Sequence, residues 1–213
     1  MGDYLYATAF SVLAELRDPY ATTHLAGVCQ ELSRGEFLEV ETRYNVSLSE
    51  AQYLQIIRDK TASLIAGCCH LGASVAGASP DVVERVTEFG WNYGMAFQVM
   101  DDCLDLIGEE EKVGKNLRAD LDKGALSLPV IYLAASLSER ERSKLFAPMK
   151  KRSVDQRFVH RIAEAAKRSG AIEQAQRTAG TFVARALAAV DDAGIAQQAA
   201  YRQLAQHAIE RVQ

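Results

Sequence analysis

Residues 97–105 read Phe-Gln-Val-Met-Asp-Asp-Cys-Leu-Asp, and the rest of the chain is organised around this stretch. On a helix, Asp101 and Asp105 lie four residues apart on one face, and Asp102 lies about 100° around the axis. Like charges at this spacing repel each other, so they destabilise the helix unless a cation lies between them. Carboxylate oxygens, completed by phosphate oxygens, are typical ligands of Mg²⁺. The stretch therefore predicts a magnesium site on a helix.

The neighbours of the acidic stretch are apolar, and this distinguishes it from an ordinary charged surface. Acidic runs most often lie on solvated helix faces, and that alternative predicts polar flanks. The flanking side chains are instead Met95, Ala96, Phe97, Val99, Met100, Leu104, Leu106 and Ile107. We therefore expect the helix to place the three carboxylates on a largely buried surface.

Composition places the chain among helical single-domain proteins. It has 213 residues, 48% hydrophobic residues and a formal net charge of -4. This length suits one domain, and the abundance of Ala with few Pro favours helix over sheet. A weakly acidic chain without basic blocks is not expected to bind nucleic acid.

Cysteine spacing and hydropathy exclude several further classes. The four cysteines have no Cys-x-x-Cys or Cys/His spacing, so the sequence supports neither a zinc site nor a redox pair. Scattered, apolar-flanked thiols fit a reducing compartment, and we predict a cytoplasmic location. No apolar run approaches the roughly 20 residues of a transmembrane helix. The first residues also lack the basic region of a signal peptide.

Apolar periodicity predicts one all-α domain over residues 1–213. Ser49 with Gln52 forms a capping box that opens a long helix to about residue 75. Pro80 opens the helix that carries the acidic stretch, and Gly90 and Gly94, one turn apart, allow a close neighbour on one flank. A polar loop is expected at 109–124. The other predicted helices are 4–16, 20–44, 127–135, 138–147, 155–169, 171–190 and 195–212.

Several polar residues fit poorly with a purely structural role. Lys60 and Thr61 lie between apolar residues of the long helix, and a buried lysine is costly unless it is paired. Gln98 precedes Asp101 by one turn, and Lys115 follows in the loop. Taken singly, each has an ordinary explanation: a snorkelling lysine, a hydrogen-bonded core glutamine and a surface lysine. Together with the carboxylates they predict a clamp for a diphosphate.

The combination of motifs resembles the trans-isoprenyl diphosphate synthases, or polyprenyl synthetases. The resemblance is carried by the run from Phe97 to Asp105, by Gly114-Lys115 with Asp120-Leu121 and Gly124, and by Leu128-Pro129. Upstream, Tyr53, Ile57, Lys60 and Thr61 have the matching spacing. The similarity is collinear over about the first 135 residues, and the last third matches in helical character only.

The resemblance implies a fold and a chemistry. The fold is an isoprenoid-synthase-type helical bundle, here incomplete at its N-terminal side. The implied reaction condenses an allylic prenyl diphosphate with isopentenyl diphosphate, with Mg²⁺ as the cofactor. By position, the residues implied to hold metal are Asp101, Asp102 and Asp105. Those implied to bind the allylic diphosphate and to act in catalysis are Lys60, Thr61, Gln98 and Lys115, with Asp101 also catalytic.

The sequence also departs from the family pattern. The family's first aspartate-rich motif belongs to helices expected before Gly2, and Asp101 begins the one Asp-Asp-x-x-Asp run here. Ala125 stands where the family usually has Lys, Arg118 where it usually has Gly, and Asn116 where Pro is common. Loss of the cation at position 125 weakens the expected diphosphate clamp.

Three interpretations follow from these departures. The chain is a subunit of a hetero-oligomeric prenyltransferase whose partner chain carries the first motif, a non-catalytic regulatory or structural subunit, or a truncated piece of a full-length synthase. We favour the first, in which the chain is inactive without its partner, because the acidic motif is intact. A terpene cyclase is a more distant alternative, since its second metal motif is absent from the sequence. Missing helices should also leave an exposed apolar flank and require a complex.

Overall fold

Helices form every regular element in the part of the chain that the computed structural model describes, which is residues 1–107, 119–191, 195 and 198–210. The all-α prediction is therefore confirmed, and one π-helical turn at Arg58–Ala62 joins α3 to α4. The helices are α1 (Gly2–Leu16), α2 (Pro19–Thr42), α3 (Glu50–Ile57), α4 (Ser63–Val75), α5 (Pro80–Ile107), α6 (Ala119–Asp122), α7 (Leu128–Ser136), α8 (Glu139–Leu145), α9 (Ala147–Lys150), α10 (Gln156–Ser169), α11 (Ala171–Asp191) and α12 (Gln198–Glu210).

The capping box predicted at the start of the long helix is present. The backbone N–H of Gln52 donates to Ser49 Oγ at 3.3 Å, and the backbone N–H of Ser49 donates to Gln52 Oε1 at 3.0 Å. The pattern did not predict the π-helical turn eight residues later, where the backbone N–H of Ser63 donates to the carbonyl of Arg58. The predicted long helix is therefore one helix with an extra residue inserted at its middle.

The close contact between α4 and α5 is made possible by glycines on α5. A Cβ atom on Gly94 would lie 2.6 Å from Ala62 Cα, and one on Gly90 would lie 2.7 Å from Ala66 Cα. Real Cβ atoms do not approach neighbouring backbone this closely, so the two helices could not pack at this distance with any larger residue. The predicted close neighbour on this flank is confirmed, and it is the end of the π-helical turn together with α4.

The core surrounds α5, which packs against α4 on one side and along α11 on another. Small buried residues of α11 (Ala175, Ala179, Val183 and Ala186) permit this second contact. The next layer is α7, whose Leu128, Val130 and Leu133 are almost completely buried. The acidic stretch lies in the last turns of this central helix, so it is held between several packed neighbours.

Helices α1, α2 and α4 each carry exposed apolar side chains. Helix α1 packs against α2, and on α1 Tyr4 is 71% exposed and Leu16 is 66% exposed. Phe37 on α2 and Val75 on α4 are 68% and 77% exposed. Such a set is larger than the scattered exposed hydrophobics of most monomers. None of the described helices has the length and hydropathy that a bilayer-spanning segment needs.

The α4–α5 contact gives a direct test of this packing. Gly94→Ala should lower the free energy of unfolding by about 1–3 kcal/mol, because the new methyl group would overlap Ala62. Gly180→Ala is the matched control, since it lies within α11 and a Cβ there would meet nothing within 4 Å. It should be neutral or stabilise by up to about 1 kcal/mol. Urea unfolding measures both, and equal stabilisation by the two substitutions would contradict the packing described here.

Candidate functional site

A chain of hydrogen bonds links α3, the π-helical turn and the acidic stretch. The Thr61 hydroxyl donates to Gln98 Oε1 at 2.8 Å, and Gln98 Nε2 donates to Asp102 Oδ1 at 2.7 Å. The other carboxylate oxygen of Asp102 accepts a 2.7 Å bond from the Tyr53 hydroxyl. Three of the predicted site residues are therefore in direct contact. Tyr53 joins them, although the sequence pattern assigned it no role.

Asp102 is the buried member of the acidic stretch, with 7% of its surface exposed. Burial raises the pKa of its carboxyl group to about 7, and the nearby charges of Asp120 and Asp101 act in the same direction. The hydrogen bonds from Tyr53 and Gln98 oppose this shift because they favour the ionised form. A divalent cation nearby would also favour the ionised carboxylate.

Asp101 and Asp105 are only partly buried and lie four residues apart on one face of α5. In the ranges that the structure describes, no three His, Cys, Asp or Glu side chains are arranged as a ready metal site. Asp102 points its two oxygens at protein donors. A pair of carboxylates that leaves other positions to water and phosphate is the usual arrangement for Mg²⁺. Asp101 and Asp105, on one face of α5, are the pair that such a site would use, and Asp102 would act beside them. The metal assignment of all three stays a prediction.

Lys60 is paired with acidic residues of α2. Its Nζ atom lies 2.5 Å from Glu39 Oε2 and 3.5 Å from Glu36 Oε1. Burial alone would lower the pKa of Lys60, but the hydrogen bond and charge of Glu39, with a smaller effect of Glu36, outweigh it and raise the pKa. The ammonium group therefore stays charged. It is bound by the acidic residues of α2 and does not extend into solvent as a snorkelling lysine would. An arriving phosphate would have to share Lys60 with Glu39.

These residues enclose a small cavity of about 60 Å³. Its polar lining includes Glu39, Lys60, Gln98, Asp102 and Asp120. Among these described residues three carboxylates face one lysine, so the cavity favours cations. Asp120 belongs to a family motif in the sequence but has no role assigned to it there, and no pattern in the sequence indicated Glu39. Both are recognised here only because α2, the π-helical turn and α6 meet.

Two departures from the family pattern have different outcomes. Ala125 lines the cavity, so the missing cation at that position falls within the site. Lys115, predicted to bind the diphosphate, lies outside the described residues, as do Asn116 and Arg118. Of the four residues predicted to bind the diphosphate, the structure therefore describes three: Lys60, Thr61 and Gln98.

Comparison with known proteins shows the family to which the sequence is related. The family profile described as polyprenyl synthetase matches residues 1–166. The chain is 38% identical over 190 residues to heptaprenyl diphosphate synthase component 2 of Geobacillus stearothermophilus, a match that covers 89% of this chain and 58% of that protein. The protein of the same name from Bacillus subtilis is 31% identical over 185 residues, covering 87% of this chain and 52% of that protein.

Solved structures give the same relationship. A polyprenyl synthase from Caulobacter crescentus, crystallised with calcium and isoprenyl diphosphate, superposes with a TM-score of 0.93 at 32% identity. A decaprenyl diphosphate synthase from Rhodobacter capsulatus gives a TM-score of 0.88 at 28% identity. The matches cover 99% and 100% of this chain but only 64% and 66% of those proteins. The isoprenoid-synthase type of fold is thereby confirmed, and the chain spans between about half and two thirds of its relatives.

The Tyr53–Asp102 hydrogen bond is directly testable. Tyr53→Phe should lower the free energy of unfolding by about 1–3 kcal/mol at pH 8 without divalent cations, because one oxygen of a buried carboxylate loses its donor. Tyr132→Phe is the control, since it removes a hydroxyl that is bonded to Thr178 at 2.9 Å, with Glu50 nearby, and that does not contact Asp102. Its cost should be about 1 kcal/mol or less. Equal losses in urea unfolding would show that the Asp102 contact has no special weight.

Proposed function

The chain belongs to the polyprenyl synthetase family, and from this premise we propose that it supplies the second aspartate-rich magnesium–diphosphate site of a trans-prenyltransferase. The observation that carries the proposal is the hydrogen-bonded connection from Thr61 through Gln98 to Asp102. Gln98 and Asp102 line one acidic cavity together with Lys60, and Thr61 is joined to that cavity through its hydrogen bond to Gln98. A purely structural helix contact would not need charged groups of both signs there.

The proposed reaction joins an allylic prenyl diphosphate to isopentenyl diphosphate. The bond from the allylic carbon to the diphosphate oxygen breaks, and diphosphate leaves. The double bond of isopentenyl diphosphate attacks the resulting cation, a proton is lost, and the chain grows by five carbons. When bound, Mg²⁺ neutralises charge on the departing diphosphate.

The protein groups have separate parts in this proposal. Asp101 and Asp105 hold the metal on one face of α5. Lys60 contributes positive charge to the leaving diphosphate, and Thr61 and Gln98 orient its oxygens by hydrogen bonds. Lys115 would add a second cation. Asp102, fixed by its two donors, keeps Gln98 in place and adds negative charge beside the metal.

We further propose that a second chain carrying the first aspartate-rich motif completes the enzyme. Two observations support this. Asp101 begins the one Asp-Asp-x-x-Asp run in the 213 residues, and the exposed apolar side chains of α1, α2 and α4 suit a protein neighbour. The relatives named as component 2 of a synthase are in keeping with a multi-chain enzyme. On this proposal residues 1–213 form one helical domain, equivalent to the C-terminal two thirds of the family fold.

Two alternatives make different predictions. Ala125 at the cavity favours a regulatory subunit that keeps the fold without the full clamp. A piece of a longer synthase would instead regain activity when joined to its own N-terminal helices.

Turnover by the assembled enzyme tests the metal role. Mixed with a chain carrying the first motif, both substrates and Mg²⁺, the protein should release diphosphate. Asp101→Ala should reduce this release by a factor on the order of 10² or more, because the metal loses a ligand. Asp191→Ala, which removes another acid beside Asp192 at the end of α11, should have no effect. Full activity of Asp101→Ala would refute the assignment, and a complex that never turns over would favour the regulatory alternative.

The exposed apolar side chains give a prediction about assembly. Because Leu5 is 61% exposed on α1, Leu5→Lys should weaken association with a partner or with a second copy of the chain. Leu204→Lys is the control, since Leu204 is also exposed (48%) but lies on α12 rather than on α1. Multi-angle light scattering of each variant, alone and mixed with the partner, reports the effect. A wild-type chain that stays a stable monomer in every mixture would contradict the proposal.

A further inference from the structure

A buried carboxylate lies within the π-helical turn, on the side away from the candidate site. The side chain of Asp59 is 0% exposed, and it accepts two hydrogen bonds from the Arg34 guanidinium, at 2.8 and 2.9 Å. Gln55 Nε2 adds a third bond at 2.9 Å. Neither Asp59 nor Arg34 lines the cavity that holds Lys60 and Asp102. The reaction as described does not use them.

The π-helical turn decides which face of the long helix the site residues occupy. Tyr53 and Thr61 both contact side chains of α5, yet they are eight residues apart. In a regular α-helix, eight steps of about 100° leave two residues about 80° apart around the axis. A π turn takes more residues per revolution, and one such turn removes most of this offset. The π-helical turn therefore brings Tyr53 and Thr61 toward the same side of the helix, where both contact α5.

Contacts on several sides hold this turn in place. The Ser63 hydroxyl donates to the backbone carbonyl of Asp59 at 2.6 Å. The Arg58 guanidinium lies 4.1 Å from the centre of the Trp91 ring on α5. On α2, Gly35 leaves room for the backbone of Lys60, because a Cβ there would lie 2.7 Å from Lys60 Cα. The Arg34–Asp59 pair lies beside this contact and joins α2 to the turn.

The Asp59 carboxylate is ionised and firmly bound to its donors. Burial would raise the pKa of Asp59, but the bonds from Arg34 and Gln55 outweigh it, and the pKa is lowered. The carboxylate thus stays ionised and bound to the guanidinium fork, whose two parallel bonds fix orientation as well as distance. Ion pairs with one exposed partner contribute little to stability, but this pair joins α2 directly to the π-helical turn.

We propose that Arg34 and Asp59 are positioning residues that hold the π-helical turn, and so direct Lys60 and Thr61 toward the diphosphate. They touch neither substrate nor metal. Their effect passes through the backbone of residues 58–62. This inference rests on the proposed function, since it requires that Lys60 and Thr61 bind diphosphate.

The test compares removal of this pair with removal of an unrelated one. Arg34→Met/Asp59→Leu replaces both charged groups by apolar ones, a change that often preserves stability. The control, Arg85→Met/Asp81→Leu, removes an exposed pair on α5 (3.1 Å). Binding of inorganic pyrophosphate with Mg²⁺ is measured by calorimetry, and circular dichroism checks the helix content. We expect wild type and control to bind alike, and the Arg34/Asp59 variant to bind at least ten-fold more weakly with its helices intact.

In the active complex, the same variant should raise KM for the allylic diphosphate and leave KM for isopentenyl diphosphate unchanged. A purely structural role would lower the amount of active enzyme and leave both constants unchanged. Should the double variant fail to fold, Arg34→Lys keeps the charge but loses the two-pronged bond, and it should show the same selective weakening.

The outcomes separate the two ideas. If wild type does not bind pyrophosphate with Mg²⁺, the proposed function fails and this inference fails with it. If wild type binds and the folded Arg34/Asp59 variant, or Arg34→Lys in its place, binds equally well, the positioning role is overturned while the proposed function stands.

Discussion

The close approach of α5 to the π-helical turn and α4 is the constraint on which the site depends. Gly90 and Gly94 bring the backbone of α5 against Ala62 and Ala66. Only at this separation can the short side chain of Thr61 reach across to the next helix. A larger residue at either glycine would push the helices apart. The distance from the Thr61 hydroxyl to Gln98 Oε1 would then exceed that of a hydrogen bond. Packing and chemistry therefore share the same few residues.

Buried charge gives the site its second property. Two hydrogen-bond donors favour the ionised form of the buried Asp102 carboxylate. Its pKa of about 7 reflects the cost of burying that charge. Glu39 keeps Lys60 charged but occupied. The described cavity thus has an excess of negative charge and one lysine that is already bound. Such a site suits a ligand that arrives with its own cations, as a magnesium-bound diphosphate does.

Local patterns in the sequence predicted much of the fold and part of the site. The capping box at Ser49, the glycine flank of α5 and the all-α class all depend on residues near each other in the chain, and each is found as expected. The sequence singled out Thr61 and Gln98 as site residues, but the hydrogen bond between them is known only from the structure. The π-helical turn was missed because one inserted residue hardly changes an apolar pattern read at 3.6 residues per turn. The pairings of Lys60 with Glu39 and of Tyr53 with Asp102 join separate helices, so no local pattern could reveal them.

The central claim is that Asp101, Asp105 and Lys60 receive a metal-bound diphosphate, and a crystal structure of the protein with Mg²⁺ and pyrophosphate tests it most directly. The account predicts an ion coordinated by oxygens of Asp101 or Asp105 and of the pyrophosphate, with Lys60 Nζ within hydrogen-bond distance of a phosphate oxygen. If pyrophosphate binds elsewhere, or if no ion contacts α5 while Lys60 remains bound only to Glu39, the account is contradicted.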